Sequence, residues 1–129
     1  MADDLRQDDL TIANDDRLFR RVRPNQLIAG PDGSQRPSSA VFKVLELSVN
    51  IESLMTQQGR PPEDTLTKYP GEYLTAITAG QVRAHKHPII KDTEPPNDPA
   101  HGLVLGKKKD SFANAMIRQH EWIVRPPTK

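Results

Sequence analysis

His101 stands at the mouth of a short apolar run, after the turn Asp98-Pro99-Ala100 and before Gly102-Leu103-Val104-Leu105-Gly106. A titratable ring beside a proline-held turn suits a proton-transferring or ligand-orienting group, because loop–strand junctions are where such groups concentrate. The plainer alternative is a histidine that ties the proline-rich loop to the sheet by a hydrogen bond. A second concentration lies upstream, in Arg20, Arg21, Arg23, Arg36, Ser38 and Ser39. The planar arginine fork matches phosphate or carboxylate, and the hydroxyls add hydrogen bonds. An arginine turned inward from a strand must be paired or bind an anion. On a solvated face the same arginines would pair with the acidic N-terminal residues instead. Lys107, Lys108 and Lys109 add a patch of point charge that could meet phosphates, or serve as a soluble link from strand to helix.

His85-Lys86-His87 has the spacing that puts two imidazoles on one face of a strand, where they could share a metal. On a helix the two rings diverge by about 200°. The stretch reads as a helix end, and nothing in the spacing selects a third ligand among Asp92, Glu94, Asp98 and His101. No metal and no cofactor are therefore assigned. The sequence has no cysteine, which excludes disulfides, thiolate zinc sites and cysteine nucleophiles. It has no Walker loop, GxGxxG, GxSxG or HExxH. Its few aromatics form no interleaved platform for stacked bases.

The elements that must position these groups are short. Arg17–Val22 alternates as a first strand, with Leu18, Arg20 and Val22 on one face and Phe19 and Arg21 on the other. Gly30-Pro31-Asp32-Gly33-Ser34 is a turn cluster. Ala40–Lys43 and Leu47–Val49 read as short strands. Ile51, Leu54 and Met55 set a helical period over 50–58, with Asn50 as its cap and Gly59 as its stop. Pro61–Leu66 suits one helical turn. Tyr73–Thr78 is rich in strand formers and predicts a central strand. A short helix follows over 79–87, then a small strand over 89–91 and a proline-fixed loop to Pro99. Residues 102–107 predict a strand. A helix capped by Asp110 or Ser111 runs to Gln119, with Phe112, Ala115, Met116 and Gln119 turned inward. Trp122–Val124 predicts the last strand.

Together these give an α+β fold, a small mixed or antiparallel sheet with three to four short helices. The domain spans 17–125, between an acidic flexible arm over 1–16 and a C-terminal tail over 126–129. The arm holds six aspartates and one arginine, a net of −5, and the remaining 17 basic and 11 acidic residues give the body +6. Such an arm could fold back, guide a partner or stay solvated. The N-terminus reads as neither a secretory signal nor a transit peptide, and no apolar run reaches the ~20 residues of a membrane span. A cytoplasmic location without membrane contact is expected.

Leu18-Phe19-Arg20-Arg21-Val22, Arg36-Pro37-Ser38-Ser39-Ala40-Val41-Phe42, Leu47-Ser48-Val49, Pro70-Gly71, Thr78-Ala79-Gly80 and Asp98-Pro99-Ala100-His101 carry a resemblance. The chain resembles a family of small bacterial proteins with no established activity, over about residues 17–125. An early-strand arginine, a serine pair and a downstream histidine are also loosely similar to ADP-ribosyltransferase-like and RES-type folds, which bind NAD. Glu72 is the one position that could stand for their catalytic glutamate, and no matching motif surrounds it.

Three functions follow as expectations. The first is a bacterial accessory or adaptor module that binds a protein partner without catalysis. The second is a nucleotide- or NAD-binding enzyme or sensor. In it Arg20, Arg21, Arg36, Ser38 and Ser39 would hold phosphate, and His101 would be the acid/base. The third is an RNA- or DNA-binding protein that uses Lys107, Lys108 and the arginines.

Overall fold

The alternation in Arg17–Val22 forms the strand it predicts, and this strand sits inside a six-stranded sheet. The computed structural model describes residues 6–127; the start of the arm, 1–5, and the end of the tail, 128–129, lie outside the described residues. In chain order the strands are β1 (Arg17–Val22), β2 (Leu27–Ala29), β3 (Gln35–Pro37), β4 (Leu47–Ile51), β5 (Tyr73–Thr78), β6 (Ile89–Lys91), β7 (His101–Val104) and β8 (Glu121–Val124). The helices are α1 (Glu52–Gln57), α2 (Ala79–Arg83) and α3 (Asp110–Gln119). The large sheet has the order β6-β7-β4-β1-β5-β8 and every pairing in it is antiparallel. β2 and β3 pair separately as a hairpin. This is a small α+β fold.

One face of the sheet carries Leu18 and Val22 from β1, Leu47, Val49 and Ile51 from β4, and Ile77 from β5. Helix α3 covers it with Phe112, Ala113, Ala115 and Met116, joined by Val82 of α2 and by Val41 and Phe42. These side chains are removed from water almost completely, and the burial supplies most of the drive to fold. The opposite face is only partly covered. Phe19, Leu74 and Ala76 pack there with Met55 of α1 and Ala100, and Leu54 and Leu66 lie at the margin. The rest of that face borders a cavity.

Several local expectations need correction. Ala40–Lys43 is not a strand; Ser39–Val41 is a single 3-10 turn, which tucks Val41 and Phe42 under α3. The 50–58 helix begins at Glu52, with Ile51 at its cap position, and Asn50 stays in β4. Gly59 ends the helix as expected, at a φ of 68° that a β-carbon would resist. In α3 the cap position is Lys109, without a side-chain cap, and Gln119 is exposed. β7 stops at Val104, so Lys107 lies beyond it. Helix α2 is better built than its sequence suggests. Thr78 and Gln81 exchange hydrogen bonds with each other's backbone N–H, a capping box that fixes the helix start.

Of the alternatives open to the acidic arm, its described part takes the folded-back one and lies against the body. Ile12 is buried in the main core. The Asp9 N–H donates to the Ile89 carbonyl, and the Asp8 carboxylate accepts from the Ile89 N–H and from Arg83. Arg83 also donates to the carbonyls of Ile12 and Asp9 and to Asn14. Asp16 accepts from the N–H and the hydroxyl of Ser53 in the first turn of α1. The charges of Asp8 and Asp16 are thus used locally, at the β6 edge and at two helices. No helix among the described residues is long and apolar enough to cross a membrane.

Candidate functional site

Strand register builds the floor of a polar cavity on the open face. In the β1–β4 pair Phe19 lies opposite Asn50, and in the β4–β7 pair Asn50 lies opposite His101. Two residues along, the same register brings Arg21 level with Ser48. Directly opposed side chains in an antiparallel pair have β-carbons about 4.5–5.5 Å apart, so four polar groups from three strands meet on one surface. The cavity above them has a volume of about 650 Å³. One wall is the segment from Arg60 through Tyr69, and the other is the loop Pro96–Pro99.

The charges on these walls are organised in pairs. Arg60 makes two hydrogen bonds to Asp98, at 2.9 and 2.8 Å, and its Nε lies 3.5 Å from Asp64. This fork holds the Asp98 carboxyl below the usual carboxylate range. Arg21 donates to Glu72 at 3.1 Å, and its guanidinium lies 3.5 Å from the centre of the Tyr69 ring. Stacking of this kind adds about 0.5–1 kcal/mol at exposed sites. Lys68 lines the cavity with no hydrogen bond or ion pair among the described residues. It is exposed on the loop wall.

His101 Nδ1 lies 3.1 Å from the Asp92 carbonyl and 3.1 Å from the Asp92 carboxylate. The Asp92 N–H donates back to the His101 carbonyl, and Asn97 donates to the same carboxylate. Asn50 donates to Thr65, whose hydroxyl donates to the sulfur of Met55.

The residues singled out by sequence part into two groups. Arg21 and His101 reach the cavity together, and Ser48, Asn50, Arg60 and Lys68 join them there. Arg20 borders the cavity, but its guanidinium donates to the carbonyls of Val41 and Ser48. Burial, and behind it the neighbouring Arg21 and Arg23, lower Arg20 to about 10. Arg36 is exposed on the β2–β3 hairpin; Ser39 is exposed and Ser38 half-buried after it, and none of the three lines the cavity. Lys108 is buried, and its Nζ donates to the carbonyls of Val44, Leu45, Val104 and Gly106 at 2.6–3.1 Å. Lys107 and Lys109 are exposed on either side of it, so the three lysines do not form one charged patch. Glu72 serves as the partner of Arg21.

His85 and His87 both stand edge-on to the Phe112 ring, at 5.5 and 4.8 Å, and His87 Nδ1 meets the Leu105 carbonyl. Among the described residues no group of three histidine or acidic side chains is placed to hold a metal. The sequence reading missed Ser48, Asn50, Arg60 and Lys68. Arg60 and Lys68 come from a wall distant in sequence, and Asn50 was read as a helix cap. The chain was compared with models of protein families, with curated proteins and with solved structures, and none of them matches.

Proposed function

We propose that this protein binds a small phosphate-bearing ligand of the nucleotide class in the cavity over Arg21, Ser48, Asn50 and His101, as a sensor or an enzyme. The observation that carries the reading is the sheet register itself. It gathers a guanidinium, a hydroxyl, an amide and an imidazole on one open floor, beside a lysine with no partner. Polar groups on the floor beside cations at the rim are what an anionic, hydrogen-bonding ligand needs. Arg21 and Lys68 hold the phosphate in this reading, and His101 orients the ligand or moves a proton.

The adaptor reading has less behind it. The exposed large apolar side chains, Leu10, Ile28, Leu45 and Tyr69, come from four separate segments, and Arg21 already covers one face of Tyr69. Single exposed apolar residues are ordinary surface. The nucleic-acid reading relied on the lysine run, whose middle member is directed into the protein. Calorimetric titration with inorganic phosphate, ADP and NAD tests the proposal. Saturable binding that weakens in both Lys68→Ala and Arg21→Ala supports it. No heat at millimolar concentrations of all three ligands, or binding indifferent to both substitutions, rejects it.

A further inference from the structure

The acceptors in the cavity say more about the ligand than the cations do. Asp92 offers two oxygens to His101 Nδ1, a carbonyl and a carboxylate, and both can only accept a hydrogen bond. The neutral ring must therefore carry its proton on Nδ1, which leaves a lone pair on Nε2. Asp92 is itself fixed, by the backbone exchange with His101 and by Asn97. Nε2 has no protein partner. It is not sealed off either, since no buried side-chain nitrogen or oxygen among the described residues lacks one. The same holds for the Asn50 oxygen, because Asn50 uses its nitrogen on Thr65. The Asp64 carboxylate on the wall is already paired with Arg60.

An ionised phosphate brings only acceptors. It satisfies Arg21 and Lys68 and leaves Nε2 and the Asn50 oxygen facing a ligand with nothing to donate. An ammonium ligand would donate, but four cations line the cavity, Arg20, Arg21, Arg60 and Lys68, against two carboxylates, Asp64 and Asp98. Resting on the phosphate-binding reading above, we infer that the ligand is a hydroxylated phosphate ester. Its phosphate lies toward Arg21 and Lys68, and a sugar-type hydroxyl donates to His101 Nε2. Asp92 is a positioning residue that fixes the tautomer this contact requires.

The test compares inorganic phosphate with ribose 5-phosphate on the full chain, in the wild type, His101→Ala and His101→Gln. One well-made hydrogen bond predicts that ribose 5-phosphate binds roughly 3- to 10-fold more tightly than phosphate in the wild type. His101→Ala should bring the two affinities together. His101→Gln, which keeps an acceptor, should restore part of the difference. Equal affinities in the wild type, or a preference that survives His101→Ala, would sink the hydroxyl contact and leave the phosphate site standing. Absence of phosphate binding in the wild type removes both. Nitrogen-15 NMR of the histidine rings is independent of any ligand. It should find the neutral His101 ring as the Nδ1–H tautomer, and the Nε2–H tautomer would overturn the assignment.

Discussion

The two faces of the sheet treat their polar groups in opposite ways. On the face under α3, each buried polar side chain has a fixed protein partner. Arg20 donates to two backbone carbonyls, and the Thr75 hydroxyl meets His120 Nδ1 and the Glu121 carbonyl. Lys108, at the end of the β4–β7 pair, is enclosed by four carbonyls. On the other face the cations pair with side-chain carboxylates that are part-exposed, or with nothing, and they surround open space. A cation on a backbone carbonyl cannot exchange its partner without unfolding something. A cation on a side-chain carboxylate can exchange it for a ligand by side-chain movement, without breaking a backbone contact. The first face is built for stability and the second for exchange.

Substitutions should divide along the same line. Phe112 is buried at the centre of the α3 interface and carries both His85 and His87 on its edge. Phe112→Ala should cost about 3–5 kcal/mol in denaturant unfolding, the usual range for emptying a core aromatic. A loss under about 1 kcal/mol would mean that the covered face is not the stabilising one. Lys108→Met keeps the apolar stem and removes the ammonium. It should cost about 1–3 kcal/mol, since carbonyls that the ammonium satisfied are left without a donor. Burial alone depresses Lys108 to about 8, so a stabilised Lys108→Met would show that desolvation outweighs the four hydrogen bonds.

Acid should reach the two faces in different windows. Burial holds His87 and His120 below the ordinary 6.5. Below 6.5 the unfolded chain binds protons that the folded chain does not, so stability is full above that pH. It declines as the pH falls toward the folded values. Unfolding at about pH 8 and about pH 5 measures this, and His120→Gln should shallow the decline. On the open face the depressed group is Asp98, held down by Arg60. Its contribution is complete above 3.8 and is lost only as the pH falls through the lower folded value. Acid should therefore loosen the helix-covered face first. An Arg60→Ala variant whose stability changes most between pH 8 and pH 5, rather than in the carboxylate range, would contradict that order.

Sequence pattern carried the strands far better than it carried the site. Period-two alternation located β1 and the strand formers located β5, because burial on a sheet is written into neighbouring residues. The turn at Gly30–Ser34 was visible, with Gly33 at φ 82°, but the pairing of its flanks as β2 and β3 was not. Pro37 in one flank and the exposure of Ile28 and Arg36 hide any alternation. The cavity depends on cross-strand register and on two loops, and no local window contains either. Arg21 and His101 were legible as chemistry-bearing residues. Their meeting with Asn50, Arg60 and Lys68 follows only once β4 lies between β1 and β7. The arm's fate among its alternatives was hidden for a related reason. Its aspartates look like solvated charge until Arg83 and the N–H groups of Ile89 and Ser53 are brought to them.

The smallest expected effect makes the sharpest test of the two faces. Ser48 is half-buried on β4 and lines the cavity, and its hydroxyl makes no hydrogen bond among the described residues. Ser48→Ala removes that hydroxyl without emptying core or orphaning a partner, so unfolding should change by no more than about 0.5 kcal/mol. Phosphate affinity should fall, by a few-fold at most, because the hydroxyl is a donor on the floor. Stability and binding would then move separately at one residue, which is what a face shaped for a ligand requires. If Ser48→Ala instead destabilises the protein by 1 kcal/mol or more with phosphate affinity unchanged, the open face is structural there too, and the contrast between the faces fails at its centre.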